Sequence, residues 1–334
     1  MGGKRGMQSG EERLIGRLFR PIAKHPGALG LMDDAALFKP PAGDDLVLTV
    51  DALVAGVHFF ADDPADTIAK KSLRVNLSDL AAKGARPLGC LLSLSMPETT
   101  SDDWLEAFAR GLGEDCDQFQ CPLLGGDMTR TPGALTISIT AVGSVPAGTM
   151  VERKGAQAGD LVVVTGTIGD AALGLKLRRA PDDAAFAQLD GASKAHLRDR
   201  YLLPQPRLAL AAALRECASA AMDISDGLAG DLAKLANASG VAARIEAARV
   251  PLSLAARAAI AADDALIETA LSGGDDYEIL ASVPENRFAP FRDAAVKAGI
   301  GLTTIGRIEA GDGVHVAGLD GKPLHLKQAA FSHF

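Results

Sequence analysis

The stretch from Lys70 to Pro87 constrains the fold more than any other part of this chain. Three leucines, Leu73, Leu77 and Leu80, recur at steps of four and three residues, which places them on one helical face. A glycine and a proline follow within seven residues of the last leucine and predict where the helix ends. The pattern therefore predicts a helix over 67–82 with one apolar face.

Asp79 does not belong to the apolar face of this predicted helix. A carboxylate among small residues is costly to bury unless a cation or a hydrogen-bond donor lies against it. A solvated helix position or a local cap is the alternative for a single aspartate. Similar acidic motifs recur beside Gly, Ser or Ala, however, at Asp33, Asp34, Asp51, Asp127, Asp223, Asp226, Asp275 and Asp276. Carboxylates in turns that a ligand can approach closely are what hard cations with phosphate ligands need.

Length, composition and charge exclude several classes of protein. The 334 residues predict two domains, and 48% hydrophobic with 23% charged residues is typical of soluble proteins. The net charge of −8 argues against a nucleic-acid partner, and no apolar run approaches the length of a membrane span. The four cysteines have neither zinc spacing nor the density of a disulfide scaffold. We therefore expect reduced thiols and a cytoplasmic protein without a membrane partner.

Helical and strand-like patterns alternate along the chain and predict an α/β fold. Strands are predicted at 46–50, 53–60, 88–96, 135–145, 160–165, 242–245, 278–283 and 302–308. Helices are predicted at 11–22, 67–82, 103–119, 206–220 and 228–238, and another begins at 170. The segment 146–159 is rich in Pro, Gly and charge, so we expect an N-terminal domain at 1–148 and a C-terminal domain at 149–334.

Seven motifs together carry a resemblance to a known family. They are the run 33–36, Asp51 with 56–59, and the runs 75–82, 125–127, 153–156, 223–228 and 272–278. In this order and spacing they resemble thiamine-monophosphate kinase, which transfers the γ-phosphoryl group of ATP to thiamine monophosphate and gives thiamine diphosphate. The resemblance implies the two-domain α/β fold of aminoimidazole ribonucleotide synthetase, with mixed sheets. It also implies a homodimer formed through strands of the N-terminal domain.

The resemblance assigns roles to individual positions. Oxygen ligands for several Mg²⁺ ions are implied at Asp34, Thr49, Val50 (through its carbonyl), Asp51, Asp79, Asp127, Asp223 and Asp226. Contacts with ATP, the co-substrate, are implied at Gly126, Asp127, Arg153 and Ser225. Contacts with thiamine monophosphate are implied at His58, Asp275 and Phe331. Catalysis would depend most directly on Asp79, Asp127 and Asp226.

Three positions depart from the family pattern. Met32 stands where the family has Gly, Val50 where it has Thr, and Asp275 where it has Glu. The first two bear on metal geometry and the third on substrate fit. None of them removes a carboxylate.

Other interpretations stay open at this point. Taken alone, Arg153 is explained as a solvated loop charge and His58 as a core histidine. Another ATP-dependent enzyme of the same fold is one alternative. His58 and the motif at 273–278 disfavour aminoimidazole ribonucleotide synthetase, and the N-terminal segment has no reactive Cys or Lys pair of the selenophosphate synthetase kind. A non-catalytic nucleotide-binding regulator is the other alternative, favoured if Met32 and Val50 break the metal site.

Overall fold

The computed structural model describes residues 10–326. They divide into two compact units, one made of the chain up to 76 with 87–144, the other of 77–86 with the chain from 145 onward. The short segment 77–86 thus belongs to the second unit, whereas a single boundary after residue 148 would place it in the N-terminal domain. The predicted domain boundary remains a prediction.

The first unit contains a four-stranded sheet. Its strands are β1 (Asp44–Val54), β2 (Arg86–Met96), β3 (Leu123–Arg130) and β4 (Thr136–Pro146), in the order β1-β4-β2-β3. β2 and β3 run parallel, with Leu92 opposite Gly126 and Ser93 opposite Asp127. The α-helices of residues 10–146 are α1 (Gly10–Leu14), α2 (Ala65–Ala82) and α3 (Asp102–Gln118), and α2 passes into the second unit at residue 77.

The two faces of this sheet differ in burial. Along β2, Leu92, Leu94 and Met96 are buried while Leu91 and Ser93 are exposed, because successive side chains of a strand point to opposite faces. One face therefore packs into the core of the unit. The other face keeps exposed apolar side chains, and these continue on the edge strand β1.

A buried ion pair joins α2 to α3. The Arg74 guanidinium donates from Nε to Asp115 Oδ2 at 2.6 Å and from Nη2 to Asp115 Oδ1 at 2.9 Å. The Arg74 side chain is 8% exposed and that of Asp115 is 1% exposed. The Arg74 guanidinium also lies over the Phe119 ring, 5.3 Å from its centroid. Two hydrogen bonds in this fork geometry fix the two helices against each other.

The second unit contains a six-stranded mixed sheet. Its strands are β5 (Leu161–Thr165), β6 (Ala220–Asp223), β7 (Ala242–Glu246), β8 (Ile279–Val283), β9 (Leu302–Glu309) and β10 (Val314–Ala317), in the order β10-β7-β9-β5-β8-β6. β10 and β7 run parallel to each other, and the other four neighbouring pairs of this sheet are antiparallel. Its helices are α4 (Asp170–Arg179), α5 (Gly191–Leu202), α6 (Ala211–Cys217), α7 (Leu228–Ser239), α8 (Leu254–Ala262), α9 (Leu266–Ser272) and α10 (Glu285–Lys297).

β5 shows why a central strand of this sheet is buried at every position. Val162 and Val164 pack into one core with Leu173 of α4. Leu161 and Val163 pack into a second core with Phe291 of α10. Since both faces of the strand are covered, all five of its residues are buried and the alternation of apolar and polar residues is lost.

Several predicted elements differ from the structure at their ends. The helix predicted at 11–22 is instead α1 followed by a π-helical turn, Ile15–Phe19. The strand predicted at 53–60 does not form, because β1 ends at Val54 and Gly56 adopts φ +82° in a turn. The helix predicted at 206–220 is shortened to α6, since Ala220 already begins β6.

Not one helix within residues 10–326 combines the length with the apolar character needed to cross a bilayer.

Candidate functional site

A cleft of about 640 Å³ in the first unit contains two of the predicted metal ligands. Asp34 lines one side, in the exposed segment that follows the 3₁₀ helix Pro26–Leu31. Asp127 of β3 lines the cleft too, and it is also exposed. Asp34 and Asp127 thus border the same cleft, as two carboxylates that serve one phosphate group would have to do.

Gly126 lies inside β3, a strand that the sequence analysis did not predict. A Cβ atom at this position would overlap the carbonyl oxygen of Leu92 on the neighbouring strand. Glycine is therefore required by the parallel pairing of β2 with β3, and the same lack of a side chain leaves the backbone open toward the cleft.

Thr49, Val50 and Asp51 lie within β1 and not at its end, because the strand continues to Val54. Thr49 and Asp51 are half-buried, and Val50 is 61% exposed. Strand alternation puts Thr49 and Asp51 on the same side of β1 and Val50 on the other. Only the carbonyl of Val50, and not its apolar side chain, has the chemistry of a metal ligand here.

Met32 does not need to be glycine in this fold. Its φ of −114° is ordinary for a residue with a side chain. The side chain is 73% exposed, and its sulfur lies 2.7 Å from Nη2 of Arg20. The departure from the family pattern at this position therefore introduces no backbone strain.

His58 lies in the turn after β1. The N–H of Val54 donates to His58 Nδ1 at 3.0 Å, and the His58 carbonyl accepts from Lys71 Nζ at 3.0 Å. An acceptor Nδ1 carries no proton, so the neutral ring carries its proton on Nε2. The side chain is half-buried, and its position in a turn differs from the strand position that we expected.

In the second unit, α2 delivers Ser78 and Asp79 beside the end of β6. Ser78 Oγ donates to Asp223 Oδ2 at 2.8 Å and also lies 3.4 Å from the carbonyl oxygen of Tyr277. Asp223 is 7% exposed, and Asp79 is half-buried. The helix, the strand and the segment around residue 277 thus converge on one group of oxygen atoms.

Lys83 is a cation that our sequence analysis did not single out. Its ammonium group donates to the carbonyl oxygen of Ala221 at 2.8 Å. Burial lowers the pKa of Lys83, Asp223 opposes this effect, and Arg153 adds to it. Arg153 is exposed. The predicted ATP contact Arg153 and the carboxylate of Asp223 therefore both act on the pKa of Lys83, in opposite directions.

The loop 223–227 is held by two side chains of α7. Asp231 Oδ2 accepts the N–H groups of Ser225 and Asp226, both at 2.9 Å. Lys234 Nζ contacts Asp226 Oδ2 and lies 2.8 Å from Asp231 Oδ1. Burial raises the pKa of Asp231, and the hydrogen bond with Lys234 acts in the opposite direction. Ser225 and Asp226 are thus positioned by Asp231 and Lys234, which the sequence analysis did not name.

Gly227 allows the segment 272–277 to pack on the loop 223–227. It adopts φ +115°, and a Cβ atom there would come within 2.6 Å of the Ser272 backbone. The N–H of Asp275 donates to the Ser225 carbonyl at 2.9 Å, so the predicted ATP and substrate contacts lie side by side. Asp275 itself has φ +71°, a left-handed value that is uncommon for a residue with a side chain.

Asp276 fixes this left-handed segment from the other side. Both of its carboxylate oxygens accept from the N–H of Gly169, at 2.9 and 3.0 Å. Gly169 precedes α4, where backbone N–H groups favour an anionic partner. The sequence motif pointed to Asp275, and the contact made by Asp276 could not be seen from it.

The remaining predicted site residue, Phe331, lies outside the described residues. Among residues 10–326, no three His, Cys, Asp or Glu side chains form a group that could hold a metal ion on their own. The predicted ligands are nonetheless all oxygen donors. That donor set fits Mg²⁺, which takes one or two carboxylates and completes its shell with phosphate oxygens and water.

Nearly the whole chain is similar to known proteins of one kind. Residues 32–145 match the N-terminal domain of AIR synthase related proteins, and 157–318 match their C-terminal domain. A thiamine-monophosphate kinase of Caulobacter vibrioides is 44% identical over 318 residues, 93% of this chain and 88% of the relative.

Two solved structures have the same architecture. Thiamine-monophosphate kinase from Stenotrophomonas maltophilia superposes with a TM-score of 0.83 at 43% identity, over 93% of this chain and 96% of that one. AaThiL complexed with AMPPCP and TMP superposes with a TM-score of 0.77 at 33% identity, over 92% and 97%. This similarity confirms the two-domain fold that the motifs implied. The chain belongs to the thiamine-monophosphate kinase family, built from the two domains of AIR synthase related proteins.

Proposed function

We propose that the chain catalyses the ATP-dependent phosphorylation of thiamine monophosphate to thiamine diphosphate, as a phosphotransferase with a phosphate group as acceptor. The observation that carries this proposal is the similarity, over 92% of the chain, to AaThiL, which is solved with AMPPCP and TMP. AMPPCP is an analogue of ATP. The spacing of the motif residues supports the same assignment.

The chain's own residues divide the work of binding. Asp34, Asp51, Asp79, Asp127, Asp223 and Asp226 are the carboxylates that we assign to Mg²⁺, with Thr49 and the Val50 carbonyl. Bound there, Mg²⁺ would neutralise phosphate charge and so reduce the repulsion between two anionic substrates. Gly126, Arg153 and Ser225 are assigned to ATP, because backbone N–H groups and a guanidinium suit phosphate oxygens. His58, Asp275 and Phe331 are assigned to thiamine monophosphate.

The nucleophile in this reaction is an oxygen of a phosphate monoester. Its second pKa is about 6, so near neutral pH the group is already largely deprotonated. No side chain has to remove a proton before transfer. The reaction therefore depends on positioning and on electrostatic stabilisation more than on general base catalysis.

His58 has the tautomer that such a positioning role needs. Since Nδ1 accepts from the Val54 N–H at 3.0 Å, the proton of the neutral ring is on Nε2. Nε2 is then a hydrogen-bond donor, suited to a phosphate oxygen, and it has no lone pair available to act as a base.

Replacing His58 with Asn should raise the KM for thiamine monophosphate more than it lowers turnover. An Asn side-chain oxygen can still accept from the Val54 N–H, while the donor that reaches the substrate is lost. Steady-state kinetics with thiamine monophosphate as the varied substrate measures this split. His315→Asn, at an exposed histidine on β10, is the matched control. A turnover loss of several thousandfold that higher pH rescues would identify His58 as a base and contradict this role.

The proposed reaction is tested by offering γ-labelled ATP and Mg²⁺ with a panel of acceptors. The panel contains thiamine monophosphate, thiamine, selenide and an amide ribonucleotide. We expect label in thiamine diphosphate alone. Transfer to another acceptor would identify a sister activity of the same fold, and ATP binding without any transfer would identify a nucleotide-binding regulator.

We also infer a homodimer formed through the first unit's sheet. Leu46, Leu48 and Val50 of the edge strand β1 are 42%, 65% and 61% exposed and point to one side of the strand. A second copy, placed across a twofold axis, would cover this apolar face.

Light scattering at micromolar concentration should therefore report a dimer. Leu48→Glu places a charge in the apolar face and should shift the protein toward monomer. Leu254→Glu changes a leucine that is 85% exposed on α8 and should leave the dimer intact. A wild-type protein that scatters only as a monomer would rule the dimer out.

We place the reaction in the cytoplasm. The cysteines Cys90, Cys116, Cys121 and Cys217 are all buried free thiols. Such thiols fit a reducing compartment, in which structural disulfides are rare.

A further inference from the structure

We propose that Lys234 is a built-in counter-ion of the loop 223–227, which holds Asp226 and lowers the affinity of this loop for a divalent cation. The proposal rests on the proposed function, because it takes Asp223 and Asp226 as Mg²⁺ ligands. It adds a residue that sets how tightly the site binds its metal.

Asp231 anchors Lys234. The Asp231 side chain is 0% exposed, and a buried carboxylate requires donors to remain stable. It receives two of them from the loop backbone, the N–H groups of Ser225 and Asp226, both at 2.9 Å. The third is Lys234 Nζ, 2.8 Å from Oδ1. Lys234 is therefore held in place by a buried carboxylate that is stabilised by its hydrogen bond and its charge.

Asp226 is the second carboxylate that Lys234 contacts. Lys234 Nζ also contacts Asp226 Oδ2, so one ammonium group bridges the buried carboxylate and the loop carboxylate. The Asp226 side chain is 37% exposed, which leaves room for a second cation to approach it. A divalent ion that binds Asp226 must compete with Lys234 or bind beside its positive charge. In either case the positive charge of Lys234 weakens binding of the divalent ion, because like charges at short range repel.

The consequence is a site whose charge is partly balanced before the metal arrives. We infer that Mg²⁺ binds weakly to this loop when nucleotide is absent. It binds well when ATP phosphates bring further negative charge, since these outweigh the single charge of Lys234. Lys234 would thereby favour arrival of the metal together with ATP.

The test compares Lys234→Gln with the wild-type protein. Gln can still donate a hydrogen bond to Asp231 but has no charge, which protects the fold while the counter-ion is removed. Lys234→Arg keeps the charge, and Lys297→Gln removes an exposed charge on α10 as the matched control. The full-length, nucleotide-free proteins are titrated with MgCl₂ by calorimetry, with melting temperature against Mg²⁺ concentration as a second readout.

We expect Lys234→Gln to bind Mg²⁺ roughly fivefold to tenfold more tightly than wild type, an effect on the order expected for a partly exposed charge pair. Lys234→Arg and Lys297→Gln should behave like wild type. Unchanged or weaker Mg²⁺ binding by Lys234→Gln, or no Mg²⁺ effect in either protein, would overturn the proposal. Thiamine diphosphate formation by the wild-type sample is measured alongside. Its absence would refute the proposed function, whereas its presence with unchanged Mg²⁺ affinity would refute only the role of Lys234.

Discussion

Asp79→Asn and Asp127→Asn are each expected to lower turnover at least about a hundredfold. Asn keeps the size of Asp but removes the negative charge, so the loss reports the charge and not the packing. Removing one contact that stabilises charge in the transition state costs on the order of 3 kcal/mol, and each 1.4 kcal/mol or so is a factor of ten in rate. Turnover at saturating ATP and thiamine monophosphate is the quantity to measure.

Asp312→Asn is the control for both variants, because Asp312 is an exposed carboxylate in the turn between β9 and β10. It should leave turnover near the wild-type value. Circular dichroism must show that the two site variants are folded. Near-normal turnover in either of them would contradict an assignment of that carboxylate to phosphoryl transfer.

The largest expected effect on stability belongs to Asp115→Ala. This change removes the carboxylate that pairs with Arg74 at 2.6 and 2.9 Å, where the Arg74 side chain is only 8% exposed. Breaking a buried ion pair by deleting one partner costs about 3–5 kcal/mol, because the remaining charge stays desolvated. We therefore expect a large fall in the free energy of unfolding of the first unit.

Urea unfolding followed by tryptophan fluorescence measures this loss directly. Trp104 is the one tryptophan of the chain, and it stacks on Phe108 within α3, the helix that carries Asp115. Asp117→Ala is the matched control, because the Asp117 and Lys24 side chains that form its ion pair are each 60% exposed. Such a pair should contribute less than about 1 kcal/mol to the free energy of unfolding. A loss of under about 1 kcal/mol for Asp115→Ala as well would contradict the importance of the buried pair.

Local signals in the sequence account for several elements of the fold. The leucine spacing around Asp79 predicted α2, and four consecutive apolar residues predicted the buried strand β5. The helix predicted at 103–119 forms as α3, and Ser101 caps it by accepting the Trp104 N–H at 3.2 Å. Each of these depends on residues close together in the chain, which is why the pattern was sufficient.

Features that depend on distant parts of the chain could not be predicted in this way. Gly126 belongs to a strand because β3 pairs with β2, about thirty residues earlier in the chain. The end of α2 belongs to the second unit because Ser78 meets Asp223, 145 positions away. Neither pairing has a local signature, so β3 was not predicted and a single domain division was the simpler prediction.

The candidate site shows the same limit at the level of side chains. The acidic motifs identified Asp223, Ser225, Asp226 and Asp275, and the structure places these residues on two segments joined by backbone hydrogen bonds. Asp231 was missed, although an acid in the first turn of a helix after an acidic loop is a recognisable signal. Lys234 stands eight positions after Asp226, and only the course of the loop and helix brings them together.

Direct transfer of the γ-phosphoryl group from ATP to thiamine monophosphate is tested most directly with ATP that is chiral at its γ-phosphorus. A single in-line displacement inverts the configuration at that phosphorus, whereas two successive displacements through a phosphorylated enzyme restore it. We predict thiamine diphosphate with inverted configuration at the transferred phosphorus. Retained configuration, or the absence of labelled thiamine diphosphate, would contradict direct transfer by this protein.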